Sequence, residues 1–218
     1  LDLYAKEIQM AVDSGVVQSE DVMKAWGNVE SYSNAAVIVS PLILTRWNQS
    51  PLYNNLCPYD SAKNERTVTG CVATAMAQVL KYWDYPVTGN GDYSYKHTLG
   101  TQFADFGATT YDWENMPSQL YPDSPQKEID AVAILGYHCG VSVNMMYAGD
   151  ESGAGAYSAD VPYALNRYFG YAQSSYKART VSAEIWDSYI REAIQMRRPI
   201  FYAGNSTKDG GGHAFICD

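Results

Sequence analysis

Two residues of this sequence have the chemistry to act on a carbonyl. Cys71 stands in Thr69-Gly70-Cys71-Val72-Ala73-Thr74-Ala75-Met76-Ala77-Gln78-Val79-Leu80-Lys81-Tyr82-Trp83. Apolar residues at 72, 76, 79, 80 and 83 recur at helical spacing, so one face of a helix is buried there. Thr69 and Gly70 suit a cap or turn, which leaves Cys71 in the first helical turn. Free backbone N–H groups and the positive end of the helix dipole favour a thiolate at such a place. The same N–H groups can stabilise the oxyanion formed when sulfur attacks a carbonyl. A cysteine there is also compatible with simple packing as a small apolar residue.

A nucleophilic cysteine needs a base, normally a histidine remote in sequence. The chain has three histidines. His213 lies between Gly210-Gly211-Gly212 and the strand-like run Ala214-Phe215-Ile216-Cys217, and the bare glycines allow backbone and substrate to approach the imidazole closely. His138 follows the helical pattern Ile129, Val132, Ala133, Leu135 and reads as a packed or helix-end residue. His97, in a Tyr- and Gly-rich stretch, reads as exposed. No H-E-x-x-H, C-x-x-C or paired Cys/His spacing is present, so no metal site and no cofactor are expected, and the chemistry is that of a thiol.

The elements that must position this pair follow from the rest of the chain. Its 218 residues are 46% hydrophobic and 18% charged, enough to bury one sizeable core. The net charge of −9 argues against nucleic acid or an anionic membrane as partner, and no apolar run approaches the roughly 20 residues of a membrane span. The chain opens with neither Met nor a signal sequence, so it is expected to be either processed or a piece of a longer chain. Residues 1–35 carry six acidic side chains against Lys6 and Lys24 and suggest one or two short helices. Residues 84–123 read as loops and short strands. Ser124-Pro125 starts a helix that should run to about His138, and residues 141–145 alternate as a strand. Further helices are expected near 159–169, closed by Gly170, and near 183–197, opened by Ser182 and stopped by Pro199. Residues 199–203 and 213–217 then form two strands. Four cysteines do not compel a disulfide framework in a chain this long: Cys139 should pack, and Cys57 and Cys217 are either paired or free.

Several strings resemble one family. Gly70-Cys71-Val72-Ala73-Thr74-Ala75-Met76-Ala77-Gln78, with Lys81-Tyr82 and Tyr85-Pro86 after it, is similar to the nucleophile motif of the streptopain family of bacterial cysteine peptidases. Gly211-Gly212-His213-Ala214-Phe215-Ile216-Cys217-Asp218 looks like its histidine motif. Cys139-Gly140-Val141-Ser142-Val143-Asn144-Met145-Met146-Tyr147 and Leu165-Asn166-Arg167-Tyr168-Phe169-Gly170-Tyr171 agree, in the family's order. The resemblance implies an α+β, papain-like two-lobed fold with a helical lobe and an antiparallel sheet lobe, C-terminally incomplete. It implies a propeptide end over 1–35 and a peptidase domain over 36–218.

By the same resemblance the protein would be a secreted, extracytoplasmic bacterial endopeptidase, made as a zymogen, with Cys71 and His213 as catalytic dyad. Gly153, Ala154, Gly155, Gly211 and Gly212 would border the substrate cleft. Its partners would be protein or peptide substrates and its own propeptide. The residues five and six before Cys71 are Arg66 and Glu65, where papain-like enzymes carry a glutamine that donates to the oxyanion, and Ala203 stands where the family carries another. Those departures leave room for a peptidase-like binding module of weak activity, or for an amidase or transglutaminase built on the same dyad. The residue that orients the imidazole is expected after Asp218, since Asp209 and Asn205 belong to the glycine loop and Asp218 is terminal.

Overall fold

The computed structural model describes residues 39–150, 154–172, 174–206 and 211–218. The expected propeptide over 1–35, the boundary at 36, Asp209 and Gly153 lie outside them. Among the described residues four helices carry the fold: α1 (Cys71–Trp83), α2 (Gln126–Ser142), α3 (Val161–Phe169) and α4 (Ala183–Gln195). Three antiparallel hairpins accompany them: β1 (Tyr59–Asp60) with β2 (Glu65–Arg66), β3 (Asp92–His97) with β4 (Gly100–Asp105), and β5 (Ile200–Asn205) with β6 (Gly212–Cys217). The α+β class expected from sequence is the class observed, with helices and antiparallel hairpins as separate groups.

The core forms where apolar faces meet. α1 buries Val72, Ala73, Ala75, Met76, Ala77, Val79 and Leu80, and packs against α2, β5 and β6. Small alanines on that face let neighbouring elements approach closely. α2 also touches β3, β4 and α3. Phe106, wholly buried just beyond β4, stacks on Tyr168 with centroids 4.6 Å apart and meets His138 and Phe169 edge-on. That contact joins the β3–β4 hairpin to two helices. No helix among the described residues is long and apolar enough to cross a membrane.

Two expectations need correction. The helix begun at Pro125 does not stop at His138 but runs to Ser142, and the strand expected over 141–145 is absent. Cys139, Gly140, Val141, Ser142, Val143 and Met145 are all buried, so the apparent alternation did not mark one wet and one dry face. Asn144, at φ 52°, turns the chain just past the helix end. The second correction concerns His97. It is half-buried on β3 rather than exposed, and its Nδ1 accepts a bond from the N–H of Leu99 at 3.1 Å.

Candidate active site

Cys71 is the first residue of α1, half-buried and packed against the core. Its turn is built by the residues before it. Gly70 caps the helix at φ 88°, and a Cβ there would come 2.5 Å from Met145 Sδ, so both backbone and space demand glycine. Thr69 does not cap. Its N–H and its hydroxyl both donate to Gln49 O at 3.1 Å, and the hydroxyl also reaches Tyr53 O at 3.3 Å. The helical ladder opens with Thr74 N–H donating to Gly70 O at 3.0 Å, so the N–H groups of Cys71, Val72 and Ala73 precede it. A helix start of this kind presents donors to a developing negative charge.

His213 is the second residue of β6, exposed, and paired across the hairpin with Gly204. The next residue, Ala214, is buried in the same core that Cys71 packs against. The far end of this arrangement is pinned. Tyr82, near the end of α1, donates its hydroxyl to Arg197 O at 3.0 Å, just ahead of β5. Since Ile200 pairs with Cys217, the start of β5 is the end of β6. α1 thus packs on both strands of this hairpin, with its last turn bonded just ahead of β5. From Cys71 to Tyr82 α1 rises about 16 Å, and from His213 to Cys217 β6 extends about 14 Å, so the two are comparable in span.

Gly211 and Gly212 are exposed, and a Cβ on Gly212 would come 2.6 Å from Asn205 Oδ1. Gly211 O accepts a bond from Ser206 N–H at 2.7 Å, which closes the ends of the β5–β6 loop. On the other expected cleft wall, Ala154 is buried, and Gly155 exchanges two backbone bonds with Met146, at 2.8 and 3.2 Å. Asp218, considered above as a partner for the imidazole, is engaged elsewhere: its Oδ2 accepts from Ile43 N–H at 2.6 Å. All four cysteines are unpaired, with Cys57 and Cys139 buried. Burial pushes the Cys57 thiol up to about 12 and raises that of Cys139 well above its usual range, which makes both poor nucleophiles.

Sequence reasoning left Gln49 without a role. It is buried, its carbonyl holds Thr69 two residues before Cys71, and its side-chain Oε1 has no hydrogen-bond partner among the described residues. The residues at the usual glutamine spacing are Glu65 and Arg66, so spacing did not point to it. A residue 22 positions upstream (71 − 49) carries no spacing signal.

Over 178 residues the chain is 33% identical to the thiol protease/hemagglutinin PrtT of Porphyromonas gingivalis, covering 79% of this chain and 20% of that one. Over 216 residues it is 32% identical to streptopain of Streptococcus pyogenes serotype M28, covering 86% of this chain and 52% of that one. The chain thus spans about half the length of streptopain and a fifth of PrtT. Active wild-type interpain A of Prevotella intermedia, a cysteine protease, superposes with a TM-score of 0.76 at 40% identity, covering 82% of this chain and 75% of that one. A prointerpain A fragment of the same organism gives 0.74 at 34% identity, over 92% and 70%. These neighbours bear out the papain-like α+β fold. Residues 47–218 match the model of the Peptidase C10 family, and the chain belongs to that family.

Proposed function

We propose that the protein is a cysteine-type endopeptidase that cleaves protein substrates through Cys71 and His213. The observation that carries this reading is the packing of α1, which opens with Cys71, against β6, whose second residue is His213. In this mechanism the Cys71 thiolate attacks the peptide carbonyl and the carbonyl electrons move onto oxygen. The tetrahedral intermediate collapses, the C–N bond breaks, and His213 gives its proton to the departing amine. Water then attacks the thioester, His213 takes the proton, and the acid product leaves as the thiol reforms. The N–H groups at the start of α1 stabilise the oxyanion, and the side-chain amide of Gln49 is the second donor in this scheme.

A labelled-casein assay tests the assignment. Cys71→Ala and His213→Ala should each lower cleavage at least about a thousandfold, because members of such a unit fail together. Gln49→Ala should cost about a hundredfold in kcat, the scale of one lost oxyanion donor. Cleavage by Cys71→Ala at the parent rate would refute the mechanism.

The protein is further proposed to be secreted and made as a zymogen, with residues 1–35 as the end of its propeptide and Gly153, Ala154, Gly155, Gly211 and Gly212 bordering the substrate. The match to a prointerpain fragment over 92% of this chain supports the propeptide reading. Proteolytic trimming between residues 34 and 37 should speed alkylation of Cys71 by iodoacetamide. Equal rates before and after trimming would remove the latency.

A further inference from the structure

One face of β3 touches the segment that abuts the cap of α1. Tyr93, Tyr95 and His97 are alternate residues of β3 and so share a side. The Tyr93 hydroxyl donates to Asn144 Oδ1 at 2.8 Å, and the Tyr95 hydroxyl donates to Met145 O at 2.5 Å. The His97 ring meets Tyr147 edge to face, with centroids 6.0 Å apart. Three successive positions on the strand thus engage residues 144, 145 and 147 in order.

The segment they hold has little freedom. Asn144 is left-handed at φ 52°, and Met145 N–H donates to Gly140 O at 3.0 Å. Met145 is fully buried, and its Sδ and Cε fill the space beside Gly70, 2.5 and 2.6 Å from where a Cβ would stand. Gly70 leads directly into Cys71. Burial raises the Tyr95 hydroxyl well above its usual range, so it stays protonated and able to donate at any working pH.

We propose that Tyr95, assisted by Tyr93, is a positioning residue for the nucleophile: its hydroxyl fixes the 145 peptide, and the Met145 side chain passes that position to Gly70 and the start of α1. The proposal rests on the reading of Cys71 as nucleophile. Tyr95 touches no reacting atom. A displacement of a fraction of an ångström at Gly70 changes the aim of both the thiol and the N–H groups that follow it, and catalysis is sensitive to such shifts while substrate binding is far less so.

The test is Tyr95→Phe in the full chain, which keeps the ring and removes the hydroxyl. Loss of one such hydrogen bond should lower kcat on labelled peptide about fivefold and leave KM within about twofold. Iodoacetamide alkylation of Cys71, followed by mass spectrometry on the folded protein, should slow by a similar factor. In a Met145→Ala background the same change should have little further effect, since the connecting side chain is gone. Should Met145→Ala fail to fold, Tyr93→Phe takes its place and should give a smaller loss of the same sign. A folded Tyr95→Phe protein with parent kcat and parent alkylation rate overturns the proposal. So do losses that track only the fraction of protein folded. Cys71→Ala run alongside separates the two readings: cleavage surviving there defeats the nucleophile assignment, whereas a dead Cys71→Ala with an unaffected Tyr95→Phe defeats the positioning role alone.

Discussion

His138 is buried, and its ring carries a measurable consequence. It is 3% exposed, its Nδ1 is 3.0 Å from the Tyr111 hydroxyl, and Phe106 packs edge-on against it. Burial lowers its pKa to about 4, partly opposed by Asp105. The lowered value sets the sign. Above about 6.5 both folded and unfolded chains hold His138 neutral, and its titration makes no difference to stability. Between about 6.5 and 4 the unfolded chain takes up a proton that the folded one refuses, so stability falls as pH falls through that window, by on the order of 3 kcal/mol in all. His97, with a pKa also lowered by burial, adds to the same trend. Melting curves between pH 4.5 and 7.5 should show the loss, and His138→Phe should flatten most of it, although it leaves the Tyr111 hydroxyl without this partner. An unchanged slope in the variant would assign the effect elsewhere.

At the level of elements, much was legible because local chemistry and tertiary packing agreed. α1 was readable from its period and from Gly70, which the structure requires twice over. α4 was readable from Ser182, whose Oγ accepts from Ile185 N–H at 3.5 Å, and from Pro199 beyond its end. The β5–β6 hairpin was readable from β-forming runs on either side of a glycine loop. The end of α2 was not. Nothing local distinguishes a helix buried on every side from a short alternating strand, and the choice depended on what surrounds residues 139–145. β3 falls in the stretch read as loops and short strands, but its bounds were not legible, for a different reason. Tyr93, Tyr95 and His97 look like a polar, exposed strand, yet their inward side meets other polar groups, and hydrogen bonds replace the apolar surface that the period-2 rule looks for. For the candidate site, cysteine and histidine were visible in their motifs, while Gln49 was not, because its link to Thr69 exists only in three dimensions.

Within the described residues a few large side chains join several elements. Phe106 contacts Tyr168, Phe169 and His138, which belong to α3 and α2, while following directly on β4. Phe106→Ala should cost about 3–5 kcal/mol, the range for deleting a buried phenyl ring, and should do so cooperatively rather than by loosening one hairpin. Urea unfolding followed by both far-UV circular dichroism and tryptophan fluorescence checks this, since coincident transitions at lower urea are the expected outcome. Separate transitions would show that the β3–β4 hairpin melts by itself.

The packing of α1 on β6 also sets a timetable. The two reactive residues are 142 positions apart (213 − 71), and the contact between their elements closes a loop spanning most of the described chain. On a ribosome adding roughly 5–20 residues each second, the cysteine emerges about 7–28 s before the histidine. α1 and α2 have what they need to pair in that interval, but β6 does not yet exist. A nascent chain therefore carries its thiol for many seconds before His213 exists, and whatever hydrolytic power the pair has cannot appear until β6 has been made.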